Sequence, residues 1–289
     1  VPFILFPKQA EFIEWAVDRW RGREDGLVEK SRDMGLSWLT VAVSVWMWLF
    51  HPQVIVGFGS RTEEYVDRIG GPKSLFWKIR AFINGLPTEF RPEGWNDAKH
   101  APFMRILNPE NGAAIVGEAG DNIGRGNRTA VYWKDESAFY ERPDAIDAAL
   151  SQTSNCKIDV STPNGSGNPF YRKRHGGKLK VFVFDWRDDP RKDEAWYQRQ
   201  CETLEPHVVA QEIDRNYEAS VVNAFIPGHS VKDAAMRGPS TVEAMGRLRV
   251  GVDPARFGND KFAVSIRRGR VLLKVEETQH LDSIQGAAW

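Results

Sequence analysis

Short strand-like runs alternate with longer helical segments along most of this sequence, and this order limits the possible folds more than any other feature. The runs typical of buried strands lie at residues 27–30, 54–58, 130–133, 157–160 and 180–184. The clearest helical segments lie at residues 35–50, 143–150 and 193–203. Parallel strands need long crossover connections, which are usually helices. The alternation therefore predicts an α/β domain with a largely parallel sheet.

Residues 34–50 form an uncharged segment rich in Trp, Leu and Val. Its length is close to the roughly 17–25 residues that a membrane-spanning helix needs. Ser37, Thr40 and Ser44 interrupt it, and it directly follows a polar loop. These interruptions favour a buried core helix over a membrane span, so no membrane partner is expected.

Charge and cysteine content exclude several classes of protein. Lys plus Arg and Asp plus Glu both number 39, so the formal net charge is zero. A protein that coats DNA through bulk positive charge would be more basic, so any DNA contact has to be local or shared among subunits. Cys156 and Cys201 form no CxxC pattern, which indicates neither zinc nor a disulfide. With no recognisable signal peptide, we expect a cytoplasmic protein.

A change of pattern after residue 226 predicts a second domain. Residues 230–244 are small and polar, and strand-like runs with short turns follow at residues 247–252, 262–266 and 271–275. Short turns between strands indicate antiparallel pairing. We therefore predict one domain at residues 1–226, a linker or small subdomain at 227–246, and the truncated beginning of a second domain at 247–289.

The loop between the first strand and the apolar helix has features of a phosphate-binding loop. Gly35 and Ser37 match the pattern GxxxxGK[ST], and Ser37 could bind Mg²⁺. Leu36 takes the place of the usual Lys, whereas Lys30 stands at the first position of the loop. Either Lys30 or Arg32 could neutralise the phosphates. By itself the loop favours an ordinary strand-to-helix turn.

Asp135 and Glu136 follow the apolar run at residues 130–133. In P-loop ATPases an Asp at this place holds Mg²⁺, and the next Glu acts as the general base that activates water. Lys134 interrupts the apolar strand, and a surface acidic turn is the alternative interpretation. The loop and the acidic pair together favour an ATPase.

Four motifs, taken in order, resemble the large terminase subunit of tailed bacteriophages. The loop with its Lys at the first position is one, and Phe6-Pro7-Lys8-Gln9 upstream is similar to the segment in which Gln9 would read adenine. Gly124-Arg125-Gly126 matches the Arg-Gly that precedes the acidic strand. Residues 160–165 resemble the coupling motif, with Ser161, Thr162 and Asn164 sensing the γ-phosphate.

This resemblance implies a P-loop ATPase of the RecA-like class that uses ATP and Mg²⁺. The implied catalytic residues are Glu136, Asp135 and Arg125, with Arg125 reaching a neighbouring subunit. The implied nucleotide-binding residues are Gln9, Lys30, Ser31, Arg32, Gly35 and Ser37. Residues 172–180 form a basic stretch that could contact DNA phosphates, although such stretches are usually solvated surface.

Residues 250–255 resemble the first strand of an RNase H-like nuclease domain. The resemblance implies that Asp253, with Asp260 assisting, binds Mg²⁺ or Mn²⁺ and that DNA cleavage needs the full-length protein. The implied function is ATP-driven translocation of double-stranded viral DNA into the procapsid. Its implied partners are the small terminase subunit, the portal and further copies in a ring, all in the host cytoplasm. A helicase-like ATPase and a non-catalytic scaffold with a decayed nucleotide site are the alternatives.

Overall fold

The structure is a computed structural model that describes residues 4–68, 70–218, 234, 236–237, 244–255 and 261–279. The chain divides into two compact units, Val1–Ala224 and Phe225–Trp289. The predicted boundary at residues 226 and 227 and most of the predicted linker lie outside the described residues.

A seven-stranded sheet forms the centre of the first unit. Its strands are β1 (Gly26–Lys30), β2 (Ile55–Ser60), β3 (Arg105–Leu107), β4 (Ala114–Ala119), β5 (Val131–Asp135), β6 (Lys157–Ser161) and β7 (Lys180–Phe184). The strand order is β3-β4-β2-β5-β6-β1-β7. Each neighbouring pair is parallel except β3 with β4. The predicted α/β fold with a largely parallel sheet is confirmed.

Helices connect these strands. They are α1 (Pro7–Gly22), α2 (Leu36–Phe50), α3 (Glu63–Val66), α4 (Leu75–Asn84), α5 (Asp97–His100), α6 (Pro143–Thr153), α7 (Pro169–His175), α8 (Glu194–Thr203) and α9 (Pro206–Glu212). Helix α2 is apolar on all sides because it is a core helix, and nine of its residues, from Leu36 to Trp48, are buried. Among the described residues, no helix combines the length and the apolar character that crossing a membrane requires.

The core of the first unit lies between α2 and the sheet. Phe12 from α1, Trp48 from α2 and Phe58 from β2 are fully buried. Trp133 from β5 joins them, and its indole donates a hydrogen bond to the hydroxyl of Ser44 at 3.0 Å. This packing fixes the direction of α2 and therefore the position of the loop that precedes it.

The described part of the second unit contains a three-stranded sheet in the order β10-β9-β8. Its strands are β8 (Leu248–Asp253), β9 (Phe262–Arg268) and β10 (Val271–Thr278), and both pairings are antiparallel, as predicted. Asp253 is the last residue of β8 and is exposed. Asp260 lies outside the described residues.

Candidate active site

One edge of the central sheet carries most of the candidate residues. In a parallel sheet the carboxyl ends of the strands meet at the same edge, where α/β proteins bind their ligands. Strands β1, β6, β5 and β2 are consecutive neighbours. This order brings Lys30, Ser161 and the pair Asp135-Glu136 together from positions far apart in the chain.

The loop that follows β1 turns sharply before α2. Asp33 and Gly35 both lie in the left-handed region, with φ values of 59° and 72°. A Cβ atom at residue 35 would stand 2.9 Å from Nε2 of Gln9, so this position requires glycine for two separate reasons. Helix α2 begins directly afterwards at Leu36. Its first amides therefore open toward the loop, which is the arrangement that binds anions at helix N-termini.

Ser31 anchors the loop to the C-terminal part of the first unit. Its hydroxyl donates to the carbonyl of Ile213 at 2.6 Å and accepts from the amide of Trp186 at 3.1 Å. It also accepts from Nη1 of Arg215 at 3.0 Å. The side chain of Ser31 is fully buried. In this structure the hydroxyl therefore holds the loop in shape, while its predicted nucleotide contact remains a prediction.

Lys192 supports the same loop from outside the predicted motifs. Its ammonium group donates to the carbonyl oxygens of Arg32 and Asp33, both at 3.0 Å. The side chain of Arg32 is 72% exposed and forms a 3.2 Å ion pair with Glu212. Arg32 therefore points away from the edge, whereas Lys30 points into it.

Gln9, in the first turn of α1, lies against the loop that follows β1. Its Nε2 donates to the carbonyl of Met34 at 3.1 Å, and its Oε1 accepts from the amide of Phe6 at 3.3 Å. The side chain is buried. Both ends of the amide are thus engaged by the protein in this structure, so reading adenine would require Gln9 to exchange at least one of these bonds.

Lys30 and Glu136 form the central contact of the site. Nζ of Lys30 lies 2.9 Å from Oε1 of Glu136, and the lysine side chain is only 11% exposed. The hydroxyl of Ser161 donates to Oε2 of the same carboxylate at 3.2 Å. Burial alone would raise the pKa of Glu136, but the ammonium of Lys30 and the Ser161 hydrogen bond outweigh burial and lower it. Glu136 is therefore held as a carboxylate.

The backbone of Glu136 is strained. Its φ of 52° lies in the left-handed region, which costs a residue with a side chain about 1–2 kcal/mol. The turn ends β5 abruptly and starts the 3-10 turn Ser137–Phe139. As a result the side chain of Glu136 reaches Lys30 at the end of β1. Strain of this kind is concentrated at functional sites.

Asp135 is a half-buried carboxyl group beside another carboxylate. Burial and the charge of Glu136 raise its pKa to about 7, against the opposing charges of Lys30, Lys78 and Arg61. A divalent cation would relieve this repulsion, and a carboxylate with a hydroxyl such as that of Ser37 is an oxygen donor set that suits Mg²⁺. The described residues contain no group of three or more His, Cys, Asp or Glu side chains able to hold a metal. Phosphate oxygens and water would complete the coordination of Mg²⁺.

The three residues predicted to couple lie at the end of β6, next to the turn after Glu136. Besides Glu136, Ser161 contacts Ala138, whose amide donates to the serine hydroxyl at 3.3 Å. Nδ2 of Asn164 donates to the carbonyl of Ala138 at 3.0 Å. Thr162 lies between them in sequence and is buried. A movement of Glu136 would therefore change the hydrogen bonds of Ser161 and Asn164 at the end of β6.

Arg125 stands apart from this cluster. It is exposed, on a loop between β4 and β5. Glu118 shapes that loop, because its carboxylate accepts from the amides of Gly124 at 2.6 Å and Gly126 at 3.0 Å. An exposed position on a loop held by these hydrogen bonds suits a residue that acts on a neighbouring molecule, which remains a prediction.

Sequence reasoning missed two further cations at this edge. Arg61 directly follows β2, and Lys78 lies in the first turn of α4. Trp77, beside Lys78, packs its ring 6.4 Å from that of Trp38 in the first turn of α2. Both positive charges oppose the raised pKa of Asp135. The only sequence signal was the position of Arg61 at the end of a strand.

Three solved structures share this fold. A variant of the ATPase domain of the Thermus phage P74-26 large terminase matches with a TM-score of 0.50 and 16% identity, covering 71% of this chain and 93% of that one. The large terminase of a second, thermophilic bacteriophage, in complex with ADP, matches with a TM-score of 0.54 and 13% identity over 91% of this chain. The HK97 bacteriophage large terminase matches with a TM-score of 0.55 and 15% identity over 92% of this chain.

The chain spans 64% of the length of the thermophilic phage protein bound to ADP and 60% of that of the HK97 protein. No family model and no curated protein matches the sequence. The similarity is therefore one of fold, at identities too low to transfer individual residues. The resemblance to large terminase subunits that the sequence motifs predict is confirmed at this level: the chain has the fold of the phage large terminase ATPase domain.

Proposed function

We propose that this chain is the ATPase part of a phage large terminase, which hydrolyses ATP to move double-stranded DNA into a procapsid. The observation that supports it best is the 2.9 Å contact between Lys30 and Glu136. Lys30 from the loop and Glu136 lie together beside the half-buried carboxyl group of Asp135, at the edge of a parallel sheet. This arrangement combines the parts that phosphoryl transfer to water requires.

In this proposal the loop and the first turn of α2 bind the ATP phosphates through backbone amides, and Lys30 neutralises their charge. Ser37 and Asp135 hold Mg²⁺, which would neutralise charge on the phosphates when bound. Glu136 accepts a proton from the attacking water. Arg125 approaches the γ-phosphate of a neighbouring subunit and stabilises negative charge during the reaction.

The ion pair between Lys30 and Glu136 gives the site a resting state. A carboxylate that is paired with an ammonium group is a weaker base than a free one, because the pairing lowers its pKa. Phosphate oxygens compete for Lys30, so ATP binding would draw the lysine away. Glu136 then becomes available as a base only when ATP is bound. Without ATP, its ion pair with Lys30 limits proton transfer from water to Glu136.

Ser161 and Asn164 are proposed to pass this change to the rest of the domain. Both contact the segment that begins at Glu136. If Glu136 moves when Lys30 is drawn to phosphate, the end of β6 has to re-form its hydrogen bonds. Thr162 adjoins these residues and belongs to the same proposed coupling element.

The remaining parts of the proposal concern the whole protein. We propose that it works in the host cytoplasm with the small terminase subunit and the portal, as a ring of identical subunits around DNA. We further propose that the sheet of the second unit begins a nuclease domain in which Asp253 and Asp260 bind Mg²⁺ or Mn²⁺. In the full-length protein, Asp253→Ala should abolish cleavage of a plasmid and leave ATP hydrolysis unchanged.

The proposed function is tested by measuring phosphate release from ATP with the purified protein, Mg²⁺, and procapsids that carry a portal. We expect hydrolysis that increases when procapsids and double-stranded DNA are added together. Glu136→Gln provides the matched control, because it keeps the size of the side chain and removes the base. Absence of hydrolysis under all these conditions, with a correctly folded protein, would refute the proposal.

A further inference from the structure

Arg61 lies on the side of the acidic pair that Lys30 does not reach. Strand β5 has β6 as one neighbour and β2 as the other, and Lys30 comes from β1 beyond β6. Arg61 is the first residue after β2, at the same carboxyl edge. The sheet order therefore places Asp135 and Glu136 between one cation on each side.

The position of Arg61 is fixed relative to Glu136 by aromatic contacts. Its Cζ lies 5.0 Å from the ring centre of Tyr65 and 5.4 Å from that of Phe139. Phe139 ends the 3-10 turn that begins directly after Glu136. The hydroxyl of Tyr140 donates to the carbonyl of Gly59 at 3.0 Å and ties this turn to β2. These contacts hold the guanidinium of Arg61 in a defined position relative to the turn that begins after Glu136.

Within the described part of the chain, Arg61 forms no ion pair at contact distance. It lines a cavity of about 570 Å³ together with Phe139 and Arg142. Arg142, in the same cavity, is paired with Asp121 at 3.1 Å. The aromatic rings leave the edge of the Arg61 guanidinium available, and planar guanidinium groups bind phosphate oxygens through this edge.

We propose that Arg61 contacts the γ-phosphoryl group of ATP bound to the same subunit and stabilises its negative charge during hydrolysis. This inference rests on the proposed ATPase function. Lys30 neutralises phosphate charge from the side of the loop after β1, and Arg61 neutralises charge on the terminal phosphate from the side of β2. A second cation at the terminal phosphate would distinguish ATP from ADP, because ADP has no group in that position.

The test compares Arg61→Gln with Arg142→Gln in the full chain. Binding of ADP and of ATP-γ-S is measured by titration, and ATP hydrolysis in single turnovers. For Arg61→Gln we expect unchanged ADP affinity, at least a several-fold loss of ATP-γ-S affinity, and hydrolysis slower by about 10²-fold, as for removal of one charge-stabilising donor. Arg142→Gln should match the unaltered protein. Arg61→Lys keeps the charge and should recover part of the hydrolysis rate.

Three results would overturn the inference. Equal losses of ADP and ATP-γ-S affinity would show that the substitution disturbs the phosphate-binding loop after β1 rather than a contact with the γ-phosphate. Normal nucleotide binding and hydrolysis with a lowered Tm, or with weakened DNA binding, would show that Arg61 serves packing or DNA. If Arg61→Gln does not fold, Arg61→Met decides, since it removes the charge but keeps an unbranched side chain, and hydrolysis at the unaltered rate would exclude the phosphate contact. Absence of nucleotide binding by the unaltered protein would instead refute the proposed function itself.

Discussion

Lys134 and Asp159 form a 2.6 Å ion pair in the interior of the protein, between the neighbouring strands β5 and β6. Their side chains are 2% and 5% exposed. Asp147 from α6 contacts Lys134 at 2.6 Å, and Lys173 from α7 contacts both carboxylates at 2.6 and 3.0 Å. Two cations and two anions therefore form a closed network that begins at the residue before Asp135.

Removing one member of this network should destabilise the protein strongly. Lys134→Met would leave Asp159 in the interior with one of its two cationic partners missing, and breaking a buried pair typically costs about 3–5 kcal/mol. We expect the free energy of unfolding, measured with urea, to fall by several kcal/mol. The double variant Lys134→Met/Asp159→Leu should recover much of this loss, because Asp147 and Lys173 still form a neutral pair. A double variant less stable than the single one would contradict this account.

The network also predicts a loss of stability in acid. Burial opposes ionisation of Asp159, but Lys134 and Lys173 outweigh it and hold the pKa of Asp159 below its ordinary value. A carboxyl with a lowered folded-state pKa contributes stability that is present above the unfolded pKa of about 4. This contribution is lost as the pH falls toward the folded-state pKa. The Tm of the unaltered protein should therefore fall more steeply below about pH 4 than that of Lys134→Met/Asp159→Leu.

Glu136→Gln should separate ATP binding from hydrolysis. The amide keeps the shape, its oxygen can still accept from Lys30 and its nitrogen can donate to the hydroxyl of Ser161, but it cannot take a proton from water. Loss of a general base typically slows a reaction by about 10²–10⁴-fold. Titration with ATP should show binding close to that of the unaltered protein, while phosphate release should nearly stop. Turnover close to normal in this variant would remove Glu136 from the catalytic role.

Lys30→Ala should impair nucleotide binding or hydrolysis far more than Arg32→Ala. Lys30 is 11% exposed and faces Glu136, whereas Arg32 is 72% exposed and pairs with Glu212. Leu36→Ala serves as the control, because Leu36 offers nothing to a phosphate. Both affinity and turnover should be measured for the three variants. Normal behaviour of Lys30→Ala together with an inactive Arg32→Ala would assign the phosphate cation to Arg32.

The parts of the fold that the sequence predicted well are those defined by local pattern. The run at residues 54–58, which becomes most of β2, is continuously apolar because the central strands are covered on both faces. Helix α1 was missed, since its buried face combines the apolar Phe12 and Ala16 with the polar Gln9 and Arg19 and becomes apparent only when the helix packs on the sheet. Its N-terminal Gln9 was nevertheless recognised from the motif alone.

The charges were the hardest feature to interpret from sequence. Lys134 looked like a defect in an apolar strand, because its partners Asp147 and Asp159 come from elements that only the fold brings together. The basic stretch at residues 172–180 looked available for DNA. Within it, Arg174 pairs with Glu29 at 2.8 Å and Lys173 belongs to the buried network. Pairing between distant residues cannot be read from local composition.

The hydroxyl of Ser31 joins the loop after the first strand to Ile213, which lies 182 positions later in the chain. Contacts between residues so far apart form late in folding, since a long loop must close first. During synthesis the sheet could assemble while this loop still lacks its anchor. We therefore expect ATP to bind only after residues 212–215 have emerged from the ribosome. A nascent chain would then hydrolyse no ATP before the first unit has folded.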